Sequence, residues 1–233
     1  MPFAEMPALL GSSGQLLLVV AAGWDDCAAR LQCFGREQAG AAWRPAGDPT
    51  TVTLGRAGLA WGRGLHALAA EAGRHKREGD GRAPAGVFPV TALFGVAGPP
   101  PEARLPWLQA TADLKCIDDP GSRHYNRIVD QRVVDGNDWS SGEDMLRADR
   151  RYEIGAVVGC NGDPVVPGAG SCIFLHVWAA PGVPTAGCTA MALADMKRIA
   201  GWLDGARSPL LVQLPRAAYE RLRGPWGLPD FPT

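Results

Sequence analysis

The chain has 233 residues and is poor in net charge, in lysine and in long apolar runs. Its 23 basic and 24 acidic residues leave a balance of −1, so nothing in the charge points to nucleic acid or another polyanion as a partner. Lysine occurs only at positions 76, 115 and 197, a bias toward arginine that carries no functional weight. The apolar run Leu16 to Ala22 is far shorter than the roughly 18 residues that cross a bilayer, so no membrane span is expected. No basic segment precedes it, which makes it a poor signal peptide. No Cys-x2–4-Cys knuckle occurs, and no internal repeat. The six cysteines (27, 33, 116, 160, 172 and 188) are too few for a disulfide scaffold in a chain this long. Their even number permits pairing, but one free catalytic thiol would leave an odd remainder. Buried thiols are the expectation for most of them.

Glycine (30) and proline (20), by contrast, are plentiful, which fits many short strands and turns. The length suits one core, and a single domain over residues 1–233 is expected. Residues 14–22 read as a buried strand, with 27–37 as its hairpin partner. Trp43 and Thr50 to Leu54 suggest further sheet. Residues 55–82 read as loop, and Gly79 to Gly86 as a dense turn before a strand from Val87 to Leu93. Residues 97–106, with four prolines, are a loop. Leu114 to Ile117 reads as a short strand, Asp118 to Ser122 as a turn, and residues 138–151 as irregular. Tyr152 to Gly159, Ser171 to Trp178 and Leu210 to Leu214 are further strands. One helix is predicted over 189–204 from Ala192, Met196, Ile199 and Leu203, with Gly205 as its stop. The fold class is therefore mostly β with one or more short helices.

The chemistry concentrates between residues 170 and 189. A strand delivers His176, a Pro/Gly loop of eleven intervening residues follows, and Gly187-Cys188 opens the predicted helix. Free amides at a helix start lower a thiol pKa and can hold an oxyanion. Gly187 lets a substrate approach the backbone closely. Thr185 is placed to tie down the loop or bind substrate. His176 is the candidate base. No Asp or Glu lies between the two, so a backbone carbonyl in the loop is the expected partner for the second ring nitrogen. The competing reading is zinc held by Cys160, Cys172, His176 and Cys188. The pair Glu143 and Asp144 reads as charge at a helix N-terminus, Asp80 as a turn residue, and His66, His75 and His124 as solvated.

The order His, short loop, Thr-x-Gly-Cys resembles the YkuD-type L,D-transpeptidase catalytic domain. Three further segments are similar to that family: Lys76 to Phe88 (KREGDGRAPAGVF), Asp118 to Asn126 (DDPGSRHYN) and Gly170 to His176 (GSCIFLH). The likeness runs over about 14–214 and is nearest to a divergent proteobacterial branch. It implies a β-sandwich or barrel with the nucleophilic Cys188 at a helix N-terminus, and His176 as base with Gly187 beside it. Substrate would be bound by Thr185, Thr189, Tyr125, Asn126 and Arg123. It also implies peptidoglycan stem peptides as donor and acceptor, no metal or other cofactor, a periplasmic site of action, and inhibition by β-lactams of carbapenem type. Cross-links of 3,3 or 1,3 type are both open. The same site with water as acceptor would be an L,D-carboxypeptidase or endopeptidase, and a dead site would leave a cell-wall binding module. The chain departs from the family at Ala186, where many members have His, and at Thr189-Ala190-Met191, where an Arg commonly follows the Cys. Arg123, Arg127 and Arg82 are the candidates to replace that Arg.

Overall fold

The apolar run near the start becomes the centre of the main sheet. In the computed structural model, which describes residues 10–66 and 74–232, β1 (Gln15–Ala21) is buried along its whole length. It pairs antiparallel with β2 (Ala28–Gly35), as Leu16 opposite Phe34 and Val20 opposite Arg30. On its other side it pairs parallel with β13 (Leu210–Pro215). A strand flanked on both edges and covered on both faces has to be apolar throughout, and this one is, apart from Gln15.

The remaining strands follow in chain order. They are β3 (Arg44–Thr53), β4 (Leu59–Trp61), β5 (Ala83–Gly95), β6 (Trp107–Gln109), β7 (Leu114–Cys116), β8 (Ile128–Asp130), β9 (Glu143–Asp144), β10 (Ile154–Val158), β11 (Phe174–Val177) and β12 (Thr189–Met191). The main sheet runs β10-β11-β12-β3-β2-β1-β13-β5-β4, with β6 on β5, and β10 also pairs with β5. That last pairing closes the sheet on itself in the manner of a barrel. It works because β5 is long: Gly86 to Pro89 face β13, and Val90 to Gly95 face β10. β7, β8 and β9 form a separate three-stranded sheet.

Two cores result, one on each face of β10–β12. Leu175, Ile173, Met191 and Ala156 face the main core, with Leu16, Leu18, Phe34 and Trp61. Phe174, Cys172 and Cys188 face a smaller one with Phe94, Ala110, Cys116, Met145 and Tyr152. A disulfide joins Cys116 of β7 to Cys172, 56 residues on, and fastens the small sheet over that second core. Phe94, Tyr152 and Phe174 meet edge to face there, with centroids 5.1–5.5 Å apart, a favourable geometry for aromatic quadrupoles.

Helix α1 (Leu193–Trp202) buries Met196, Ile199 and Ala200, and a second helix, α2 (Arg216–Trp226), buries Ala218, Tyr219, Leu222 and Trp226. Several expectations change. The predicted helix starts at 193, because Thr189–Met191 are drawn into the sheet beside β11 and residue 192 is still extended. β5 begins at Ala83, so the expected turn over Ala83 to Gly86 is strand, paired with β4 and β13. Gly86 has φ +132°, and a Cβ there would lie 1.9 Å from the His66 ring. His66 is buried rather than solvated. Its Nδ1 accepts the Val87 N–H at 3.1 Å, and burial lowers its pKa to about 4. Residues 67–73 of the expected 55–82 loop lie outside the described residues.

Candidate active site

Register decides which side chains can meet. β11 and β12 run parallel, with Leu175 opposite Thr189 and His176 opposite Ala190. Continuing that alternation puts Phe174 opposite Cys188. Side chains two apart share a face, so Cys188 and His176 project from the same face as diagonal neighbours.

Cys188 is 7 % exposed and precedes a strand, so no helix dipole acts on it. Its Sγ accepts the Phe174 N–H at 3.3 Å and donates to the Cys172 carbonyl at 3.4 Å. Burial pushes its pKa up to about 12, and the nearby Glu143 carboxylate adds to the shift; the Phe174 N–H, Lys76 and Arg147 oppose it. His176 is also buried, which lowers its pKa to about 4. Its Nδ1 lies 2.8 Å from the Val177 carbonyl. A carbonyl only accepts, so Nδ1 carries the hydrogen and Nε2 keeps a basic lone pair. The orienting carbonyl thus belongs to the strand rather than to the loop. The Tyr152 ring stands edge-on to His176 at 5.3 Å, and its hydroxyl donates to Glu143 at 2.6 Å. Both groups are neutral at rest, a thiol and an imidazole whose Nε2 lone pair can accept a proton.

Cys188 opens into a cleft of about 200 Å3 lined by Arg56, Lys76, Glu78, Gly79, Asp118, Glu143, Ser171, Cys172, Ile173, Ala186, Gly187 and Cys188. A larger cavity of about 540 Å3, around Ser13, Thr91, Pro106 and Pro209, is lined by no titratable side chain. Lys76 is buried and ion-paired to Asp80 at 2.6 Å; Asp80 also accepts the Arg77 and Arg82 N–H groups, so this turn residue holds a cleft cation. Glu78 accepts from the Tyr125 hydroxyl and from Ser171 Oγ at 2.7 Å. Burial raises the Glu143 pKa. Glu143 lies in β9 rather than at a helix end, and it lines the cleft beside Cys188. Its sequence neighbourhood carries no sign of that role.

Most of the other expected site residues brace the structure around the cleft rather than line it. Thr185 Oγ1 donates to the Cys188 carbonyl at 2.7 Å and accepts the Gly187 N–H at 3.1 Å, so the Gly187 amide is engaged inside the loop. The Thr185 backbone is pinned by Leu54 and Arg56 at 2.9 Å each. Thr189 turns its hydroxyl away from the cleft to Gln213, at 2.6 Å. Tyr125 is buried against Glu78. Asn126, with φ +59°, binds the Cys160 and Asn161 carbonyls and the Cys172 N–H at 2.8–2.9 Å. Arg123 is exposed and holds the Asp135 carbonyl and Asp138. Arg82 is spent on Asp25 and the Leu59 carbonyl. None of Thr185, Thr189, Tyr125, Asn126, Arg123, Arg82 and Arg127 lines the cleft. Cys172 is tied up in its disulfide and cannot serve as a zinc ligand.

The family model for the L,D-transpeptidase catalytic domain, YkuD, matches residues 46–212. The chain belongs to the YkuD L,D-transpeptidase family. No curated protein and no solved structure matches it. The family match spans β5, β10, β11 and β12, together with every residue that lines the cleft. Its members act on peptidoglycan by acyl transfer, and this YkuD chain carries a mostly β, barrel-like sheet with a thiol and an imidazole on one face. No described helix is long and apolar enough to cross a membrane.

Proposed function

We propose that this protein is a peptidoglycan L,D-transpeptidase that forms 3,3 or 1,3 stem-peptide cross-links through a thioester on Cys188. The placement of Cys188 and His176 on one face of two paired strands, within the family match, carries the reading. Sulfur attacks the donor carbonyl while His176 Nε2 takes the thiol proton. The tetrahedral adduct collapses, and the leaving amine departs with that proton. An acceptor amine then attacks the thioester, gives its proton to Nε2, and leaves the new amide with the thiol restored. Gly187 keeps the approach narrow, with the Arg82 carbonyl 3.1 Å from where its Cβ would stand. The Thr185 clasp fixes the Cys188 backbone. A disulfide buried beside the site suits an oxidising compartment, which supports a periplasmic site of action.

Incubation with purified disaccharide-peptides, followed by mass analysis of the products, tests this. Cross-linked dimers are expected, and they vanish with Cys188→Ala. Trimmed monomers alone would make water the acceptor and the protein an L,D-carboxypeptidase. A carbapenem is expected to leave a covalent adduct on Cys188, detectable in the intact mass.

A further inference from the structure

Two cations line the cleft, and only one is available. Lys76 is committed to Asp80 and to the Arg77 carbonyl. Arg56 is exposed, and its side chain has no hydrogen-bond or ion-pair partner among the described residues. A guanidinium left unpaired at the mouth of a nucleophile's cleft invites an anion.

The side chain is also held in place from two directions. The Arg56 N–H donates to the Thr185 carbonyl at 2.9 Å, which ties it to the loop that presents Cys188. Its side chain lies across Gly81: a Cβ built there would meet Arg56 Cζ at 3.0 Å and Nε at 3.1 Å. Gly81 has φ +68°, a conformation that favours glycine. The Ala57 N–H binds the Gly81 carbonyl at 3.0 Å. The Gly79-Asp80-Gly81 turn therefore does two things for the cleft. Its aspartate neutralises Lys76, and its second glycine forms the flat bed on which Arg56 rests.

We propose that Arg56 is the carboxylate anchor of the donor peptide, pairing with the free α-carboxylate of the terminal residue that leaves when Cys188 is acylated. This rests on the acyl-transfer reading above in its 3,3 form, in which a single terminal residue leaves. A planar fork suits a carboxylate and fixes its orientation as well as its charge. Anchoring the leaving residue on the Thr185–Cys188 side would place the preceding carbonyl over the sulfur.

Binding is the primary readout, because it is independent of turnover. Calorimetric titration uses Cys188→Ala and Cys188→Ala/Arg56→Ala proteins with two probes: a stem tetrapeptide ending in a free carboxylate, and the same peptide ending in a carboxamide. Removing Arg56 is expected to weaken the carboxylate peptide about ten- to hundredfold, the range for a charge-assisted hydrogen bond. The carboxamide peptide should change less than about twofold. Arg56→Lys should recover part of the loss, since it keeps the charge without the fork. Equal loss on both peptides, no loss on the carboxylate, or no binding of the carboxylate peptide while Arg56 is present would each overturn the assignment. Selective loss in binding, combined with no acyl-enzyme or product from the wild-type protein, would instead sink the transpeptidase reading and leave the anchor standing.

Discussion

The buried thiol makes a prediction that runs against intuition for a nucleophilic cysteine: Cys188 should be the sluggish thiol of the free protein. Burial and then the Glu143 carboxylate move its pKa from 9.0 to about 12. At pH 7.5 that leaves roughly one molecule in thirty thousand as thiolate, about a thousandfold less than for an unshifted thiol. The sign is that of an acid whose charged form is disfavoured, so reactivity grows only as pH climbs toward 12. Cys27 is the internal standard, as the one free cysteine among the described residues that is not buried. Alkylation with limiting iodoacetamide at pH 7.5, mapped by peptide mass, should label Cys27 first. Cys188, Cys160 and Cys33 should lag, the last two pushed up by burial to about 12 and about 11. Glu143→Gln keeps an acceptor for the Tyr152 hydroxyl and removes the charge, so it should lower the Cys188 pKa and speed its labelling. Alkylation of Cys188 as fast as Cys27 at neutral pH would mean a preformed thiolate–imidazolium pair, and would refute the neutral resting state that burial imposes.

The acid limb and the disulfide give two further outcomes. His176 must be neutral to accept a proton, and burial lowers its pKa to about 4. Acylation by peptide or carbapenem should therefore stay flat from neutral pH down to about 5 and fall as pH drops through about 4; a limb near 6.5 would show a solvated imidazole. Reducing Cys116–Cys172 releases a loop of 56 residues, worth roughly 4 kcal/mol on the chain-entropy relation. A thermal melt with and without phosphine reductant should shift down by several degrees, and an unchanged midpoint would mean that the small sheet holds without its staple.

Much of the sheet is legible locally, and the reason is physical. β1 and β2 carry their burial in an apolar run and an alternating partner, and β7, β10, β11 and β13 do the same over shorter spans. Errors arise where two elements share a composition. Cys188 to Met191 fits a first helical turn as well as a strand, and only pairing with β11, a long-range event, chooses the strand. Helix α2 escapes notice because Pro215 precedes it and Pro225 lies in its last turn, although Ala218, Tyr219, Leu222 and Trp226 are its buried residues. The site is partly legible for the same reason. Thr185, Gly187 and Cys188 lie in one short segment, and His176 one loop away, so their spacing is visible. Arg56, Glu78, Asp118 and Glu143 come from four separate segments and meet only after the barrel has closed and the disulfide has pinned the small sheet.

On the proposed function, a nucleophile at a strand start, rather than at a helix start, is kept and used differently. A helix terminus would offer several converging amides and a standing thiolate. Here one amide, from Phe174, faces the sulfur, and the opposing carbonyl belongs to Cys172, itself half of a disulfide. Thiol–disulfide exchange and oxidation both proceed through the thiolate. A standing anion next to Cys116–Cys172 would threaten the brace that covers it, and would be open to oxidants in any compartment where that brace can form. Keeping the proton on sulfur until an acyl donor fills the cleft removes both hazards. On that reading His176 has to take the proton during attack, so the orientation given by the Val177 carbonyl and the Tyr152 ring matters more than in a site whose ion pair already exists.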